Sequence, residues 1–119
     1  MLFTDLFDKT YELGARGPNK YDCYGFAIEV CRRLGHELPD IAGHRRYLDL
    51  NSVFSEGKLK KTDKPEFGSV VAFLDDKQRI YHCGVVLKNG DFIHCNEYGV
   101  SVANLNNYPK KGVFFSWLE

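Results

Sequence analysis

The sequence carries no excess of charge. Lys+Arg and Asp+Glu number 16 each in 119 residues, so no net field draws the chain to a phosphate backbone or an anionic membrane, and nucleic acid is not an expected partner. No run of about 18 apolar residues is present to span a bilayer. The N-terminus, MLFTDLFDKTYEL, breaks its apolar pattern with two aspartates and a glutamate, where a secretory signal needs a basic start and a continuous apolar run. The expectation is a soluble protein made in the cytoplasm without membrane contact, for which a site of action at the cell envelope requires another delivery route. Cys-x-x-Cys is also missing. Four cysteines (Cys23, Cys31, Cys83, Cys95) without the dense spacing of a secreted scaffold are expected to be thiols. Repeats and low-complexity tracts are absent, and the length suits one domain over residues 1–119 that buries its own core.

What is present begins with Leu2, Phe3, Leu6, Phe7 and Leu13, whose helical period predicts a short helix over residues 2 to 13. GARGPNK, residues 14–20, is a turn-rich loop. Asp22 can then cap a helix from about Cys23 to Leu34 with Phe26, Ala27, Val30, Cys31 and Leu34 on one face, ended by Gly35 in a left-handed conformation. A brief helical pattern spans about Arg45 to Phe54. The lysines Lys58, Lys60, Lys61 and Lys64 read as a solvated connector. From Pro65 onward GSVVAFLD, YHCGVVLK, DFIHCNEY and VFFSW are rich in β-branched and aromatic residues separated by turn residues, which predicts a small antiparallel sheet. A helix on such a sheet makes an α+β domain.

Two histidines fall on neighbouring strands of that sheet, and the loop between them decides whether they meet. A two-residue Asn89-Gly90 turn sets His94 opposite Val85 and sends His82 to the other side. A three-residue loop with left-handed Gly90 sets Leu87 opposite Asp91 and His94 opposite Gly84, with His82 on the same face one diagonal step away. The second register also gathers Cys83, Val85, Leu87, Ile93 and Cys95 on the opposite, apolar face, as a half-buried strand pair requires. The hydrophobic pattern and the meeting of the imidazoles favour the same loop.

Cys23 admits three readings. A metal site needs thiols and imidazoles to converge, whereas His82-Cys83 and His94-Cys95 are adjacent pairs pointing to opposite faces, so no metal or other cofactor is expected. Packing as a small hydrophobe is the commonest fate of a free cysteine. A thiol in the first turn of a helix, however, feels the macrodipole and unpaired N–H groups that stabilise thiolate, and an imidazole from the sheet would make a Cys-His pair.

The ordered set Tyr11-Glu-Leu-Gly14, Tyr21-Asp-Cys-Tyr-Gly-Phe26, Leu34-Gly35 with Leu38-Pro39, Phe67-Gly68, His82-Cys-Gly-Val85 and Gly90-Asp-Phe-Ile-His94 resembles the NlpC/P60 cysteine peptidases, papain-like enzymes most of which cut peptidoglycan stem peptides. The resemblance covers roughly residues 11 to 98. It implies a papain-like fold with Cys23 as nucleophile, His82 as base and His94 as the third polar residue. Asn96, opposite His82 in the favoured register, is the alternative orienting residue. Tyr11 falls where many members have a tyrosine lining the site, and the Cys23 N–H with the Tyr11 hydroxyl would stabilise an oxyanion. Three departures stand out: Tyr24 replaces a serine after the nucleophile, Ala15 a common second glycine, and Cys83 an aliphatic residue. Tyr24 is expected at the cleft wall, with inward packing as the alternative.

The resemblance implies a thiol peptidase or amidase acting through a thioester on a peptidoglycan stem peptide. A phage-derived tail or lysis component, or an effector carried by a secretion system, is the setting expected without export machinery. A related thiol acyltransferase is disfavoured because its His strand precedes its Cys helix, and a catalytically silent assembly module remains open. Duller readings cover the rest: His36 and His44 as solvated surface, Cys31 as core about 12 Å along the helix axis from Cys23, and Cys83 and Cys95 as facing free thiols.

Overall fold

In the computed structural model, residues 3–40, 48–49 and 58–118 are described. The chain opens with one 3-10 turn, Thr4–Leu6, and not with the helix expected over residues 2 to 13. Phe3 and Leu6 reach the core within that single turn, while Phe7 and Leu13 stay 47% and 42% exposed, so a longer helix would have little more to bury. The backbone pairs instead. Strand β1 (Thr10–Tyr11) runs parallel to β2 (Lys20–Tyr21), with the Glu12 N–H donating to the Tyr21 carbonyl at 3.1 Å.

Helix α1 (Cys23–Arg33) forms where the cap and the apolar stripe call for it. It ends in a Schellman arrangement: Gly35 sits at φ +91°, its N–H donates to the Arg32 carbonyl, and the His36 N–H donates to Cys31. Phe26, Ala27, Val30 and Cys31 are buried on its inner face.

The main sheet comprises β4 (Leu59–Thr62), β5 (Val70–Leu74), β6 (Arg79–Val86), β7 (Asp91–Asn96), β8 (Gly99–Asn104) and β9 (Gly112–Trp117), in the order β4-β9-β5-β6-β7-β8 with antiparallel pairing between neighbours. The four expected strands are β5, β6, β7 and β9. The lysine-rich connector is in fact edge strand β4, with Leu59 buried and Lys60 and Lys61 exposed, a placement that discourages edge-to-edge pairing. Within the helical pattern expected at 45–54, Leu48–Asp49 is a strand (β3) paired with β6, and the rest lies outside the described residues, as does His44.

One sheet face, with Val70, Ala72, Ile80, Cys83, Val85, Ile93 and Cys95, forms a continuous core with α1. The other carries Val71, Phe73, Val86 and Phe92 with Tyr81 and Tyr108 packed on them. A register shift between Phe73 and Leu74 pairs these residues with His82 and Ile80, leaving Tyr81 as an extra residue in β6. That bulge lets Ile80 and Cys83 share the helix side although three positions separate them.

Candidate active site

The helix N-terminus is anchored by Asp22, whose buried carboxylate accepts from the Gly25 N–H at 2.7 Å, the Gly14 N–H at 2.9 Å and Arg16 Nη1 at 3.0 Å. Arg16 also forks onto Asp40 through Nε at 2.9 Å and Nη2 at 3.1 Å. Loop 14–17 is thereby tied to both the first helical turn and the Pro39-Asp40 segment. A β-carbon at position 25 would collide with the Ala15 carbonyl oxygen, so only glycine allows this approach. The result is a fixed position for Cys23.

Across from it, the loop after β6 has three residues, Lys88–Gly90, with Gly90 at φ +79° and Asn89 also left-handed at φ 62°. The Leu87 N–H donates to the Asp91 carbonyl at 2.7 Å, and Val85 pairs with Ile93. This is the register favoured by the sequence. A β-carbon on Gly84 would lie 2.8 Å from the Ile93 carbonyl oxygen and 3.2 Å from the His94 β-carbon, so residue 84 sits beside His94 and must be small. His82 and His94 meet: Nε2 of the first is 2.7 Å from Nδ1 of the second. His94 Nε2 lies 3.3 Å from Ser101 Oγ on β8. Phe73 stacks on the His82 ring, and Phe92 and Tyr108 pack against His94.

Electrostatics give each group a distinct state. The thiol of half-buried Cys23 has its pKa lowered to about 5. The largest influence is a hydrogen bond from the Cys83 thiol. Burial opposes it, the hydrogen bond and positive charge of His82 add to it, and the Asp22 charge works against it. Cys83 moves the other way, pushed well up by its hydrogen bond with Cys23 and by burial. Burial and the neighbouring charge of His82 push His94 down to about 4, so its ring is neutral near pH 7. A neutral His94 can accept from His82 Nε2–H at Nδ1 only if its own proton is on Nε2, where Ser101 Oγ accepts it.

The remaining sequence expectations meet the structure unevenly. Tyr24 does not stand at a cleft wall: it turns inward, 7% exposed, and its hydroxyl donates to the Pro39 carbonyl. Burial raises its pKa well above the ordinary value. Its place at i, i+3, i+7 with Ala27 and Cys31 is the periodic signal that could have assigned it to packing. Tyr11 packs, half-buried, against the same core as Cys23, from strand β1 beside Tyr21. Asn96 turns its side-chain oxygen to the Tyr98 N–H at 2.9 Å, while His94 takes the His82 nitrogen. His36 is not simply solvated, since its ring stacks on Trp117 with centroids 4.6 Å apart. Cys31 is core, and Cys95 donates to the Tyr21 carbonyl. Sequence reasoning missed the influence of Cys83 on the Cys23 thiol and the place of Ser101 beside His94. Among the described residues, no group of three His, Cys, Asp or Glu side chains is placed to hold a metal ion.

A cysteine that opens a helix packed on an antiparallel sheet bearing a histidine pair belongs to an α+β framework of papain-like type. The sequence model of the NlpC/P60 family matches residues 8–117, and the chain belongs to that family of cysteine peptidases. It is 31% identical over 98 residues to a probable endopeptidase p60 of Listeria welshimeri, covering 82% of this chain and 17% of that protein. Against the Listeria monocytogenes protein of the same description the identity is 30%, again over 82% of this chain and 18% of the relative. The chain therefore spans less than a fifth of these curated relatives. Among solved structures, NlpC2 from Trichomonas vaginalis superposes with a TM-score of 0.71 at 24% identity, covering 99% of this chain and 44% of that one. The NlpC/p60 domain of the peptidoglycan hydrolase SagA gives 0.65 at 18% identity, covering 94% and 91%. These likenesses show the papain-like NlpC/P60 fold. Among the described residues no helix is long and apolar enough to cross a membrane.

Proposed function

We propose that the chain hydrolyses peptide or amide bonds of peptidoglycan stem peptides through a thioester on Cys23. The observation that carries this reading is the His82 Nε2–His94 Nδ1 contact at 2.7 Å, beside a Cys23 that opens the helix and has its thiol pKa lowered. Because Nε2 of His82 is engaged by His94, Nδ1 is left for the thiol. The thiolate attacks the carbonyl, His82 as imidazolium protonates the leaving amine, and the same ring then activates the hydrolytic water. His94 fixes the orientation and tautomer of His82 as the third member of a triad does. The Cys23 backbone N–H, unpaired by its place at the helix start, stabilises the oxyanion together with the Tyr11 hydroxyl. The relatives' descriptions as endopeptidase and peptidoglycan hydrolase support the substrate class. Incubation with purified muropeptides should release stem-peptide fragments, and Cys23→Ala should abolish release. Equal release by the variant, or none by the intact chain on a panel of muropeptides, would overturn the reading and favour a silent assembly module.

A further inference from the structure

Strand β8 runs on into a loop, residues 105–111, that carries one aromatic side chain back over the imidazole pair. The Tyr108 ring lies on Phe73 with centroids 4.6 Å apart, on Phe92 at 5.1 Å and edge-on to His94 at 6.0 Å. Both ends of the loop are tied down. At its start the Leu105 N–H donates to the Gly90 carbonyl at 2.8 Å, and Asn104 Nδ2 donates to the Asp91 carboxylate at 3.0 Å. At its end Gly112 pairs with Phe73, so close to Val71 that a β-carbon at 112 would collide with that side chain. Pro109 further limits where Tyr108 points, because the residue before a proline is driven to extended backbone.

The Tyr108 ring decides how much water His94 meets. His94 is 3% exposed and Phe92 beside it is wholly buried, whereas Tyr108 is half-buried and forms the layer between them and solvent. Strand β6 presents His82 and Tyr81 to this side of the sheet, and β8 presents the Ser101 hydroxyl. Among the described residues no carboxylate pairs with His94, so hydration and the charge of His82 set the state of its ring.

We infer that Tyr108 is a positioning residue: by shutting water off His94 it keeps that ring uncharged and able to accept from His82. The effect on rate rests on the hydrolytic reading; the effect on His94 does not. Burial is the first cause of the low His94 pKa, about 4, and the neighbouring charge of His82 is the second. Uncovered, the imidazole regains hydration and its pKa climbs toward the ordinary value of about 6.5. A protonated His94 carries N–H on both nitrogens, has no lone pair for the His82 Nε2 only 2.7 Å away, and sets a second positive charge against the His82 imidazolium. In the intact chain His94 therefore accepts at any pH above about 4. Without its cover that ability is lost as pH falls through about 6. The contacts are made by the tyrosine ring, so phenylalanine should serve as well.

The test follows the His94 nitrogen and Cε1–H shifts with pH in the intact chain, Tyr108→Phe, Tyr108→Leu and Tyr108→Ala. His94 should titrate near 4 in the intact chain and in Tyr108→Phe. It should titrate at least about one unit higher in Tyr108→Ala, with Tyr108→Leu between. On a cleavable muropeptide the acid limb of kcat/KM should move up by about one pH unit in Tyr108→Ala while the rate above neutral pH stays within about threefold, a split that lost stability alone does not produce. An ordinary histidine titration for His94 in the intact chain, an unchanged one in folded Tyr108→Ala, or Tyr108→Phe behaving as Tyr108→Ala would overturn the inference. The first of these uses the unaltered chain and decides the matter even where Tyr108→Ala does not fold. Since the titration needs no substrate, a shifted His94 in a chain that cleaves nothing would strike the hydrolytic reading and leave the role of Tyr108 over His94 standing.

Discussion

Replacing Asp22 by Asn tests the anchoring of the helix, because it keeps the shape and removes one acceptor. Three donors converge on two carboxylate oxygens: Gly25 N–H, Gly14 N–H and Arg16 Nη1. An amide offers one oxygen. Asn remains a good helix cap, so the Gly25 bond can survive, but the NH2 group must then face the Gly14 N–H donor. A buried donor left unpaired costs about 1–3 kcal/mol, and the charge-assisted bond to Arg16 is weakened as well. Arg16 keeps Asp40, which limits the loss. The expected destabilisation is about 2–4 kcal/mol, or a Tm lower by roughly 10 °C at this chain length. Urea and thermal unfolding measure it. A second readout has the opposite sense: the Asp22 charge opposes the Cys23 thiolate, so the pH midpoint of Cys23 alkylation should fall in Asp22→Asn even as stability drops. A loss below about 0.5 kcal/mol, or an alkylation midpoint that rises, would refute the reasoning.

In the unaltered chain, alkylation of Cys23 by iodoacetamide should rise with pH through a midpoint near 5, the pKa of the thiol in its hydrogen-bonded site. Reactivity is thus present above that pH and lost below it, and a midpoint in the ordinary thiol range would remove the thiolate from the mechanism. Cys83→Val deletes the strongest hydrogen bond to that thiolate, worth about 1.5–3 kcal/mol for a charged acceptor, so the midpoint should climb by about one to two pH units. Tyr24→Phe should cost about 1 kcal/mol in unfolding free energy while leaving relative rates across a peptidoglycan fragment panel unchanged; altered selectivity would return Tyr24 to the cleft. Gly84→Ala should lose about 1–3 kcal/mol by overpacking against the Ile93 carbonyl, and should change the imidazole nitrogen shifts of the His82–His94 pair in NMR spectra.

The parts of the fold that sequence made legible are those ruled by local chemistry. Asp22 before an apolar stripe, Gly35 after it and Asn89-Gly90 between alternating strands each have one low-energy solution, and together they place the Cys23 helix and bring His82 to His94. Strands β4 and β8 were hidden because edge positions leave their residues largely exposed, so Lys60, Lys61, Ser101 and Val102 read as surface. With β8 unseen, Ser101 beside His94 could not be anticipated. The 3-10 turn at Thr4–Leu6 defeated the periodic signal because two of the five apolar positions counted, Phe7 and Leu13, were never destined for the core. Cys83 is the buried free thiol expected on the apolar face, but alternation along β6 could not show its influence on the Cys23 thiol.

The extra residue at Tyr81 makes β6 two short strands spliced out of phase. Upstream, Ile80 answers to the helix side in one reading frame; downstream, Cys83 and Val85 answer to it in the other. Deleting position 81 would leave Ile80, His82 and Cys83 in regular alternation, each keeping the side of the sheet it already occupies. Deleting one residue from the regular stretch downstream would instead turn one flank over, and if that flank held His82 the imidazole would enter the apolar interior and Cys83 would face the aromatic side of the sheet. Strand β6 can therefore lose a residue at the bulge without turning a side chain over, but not on its flanks.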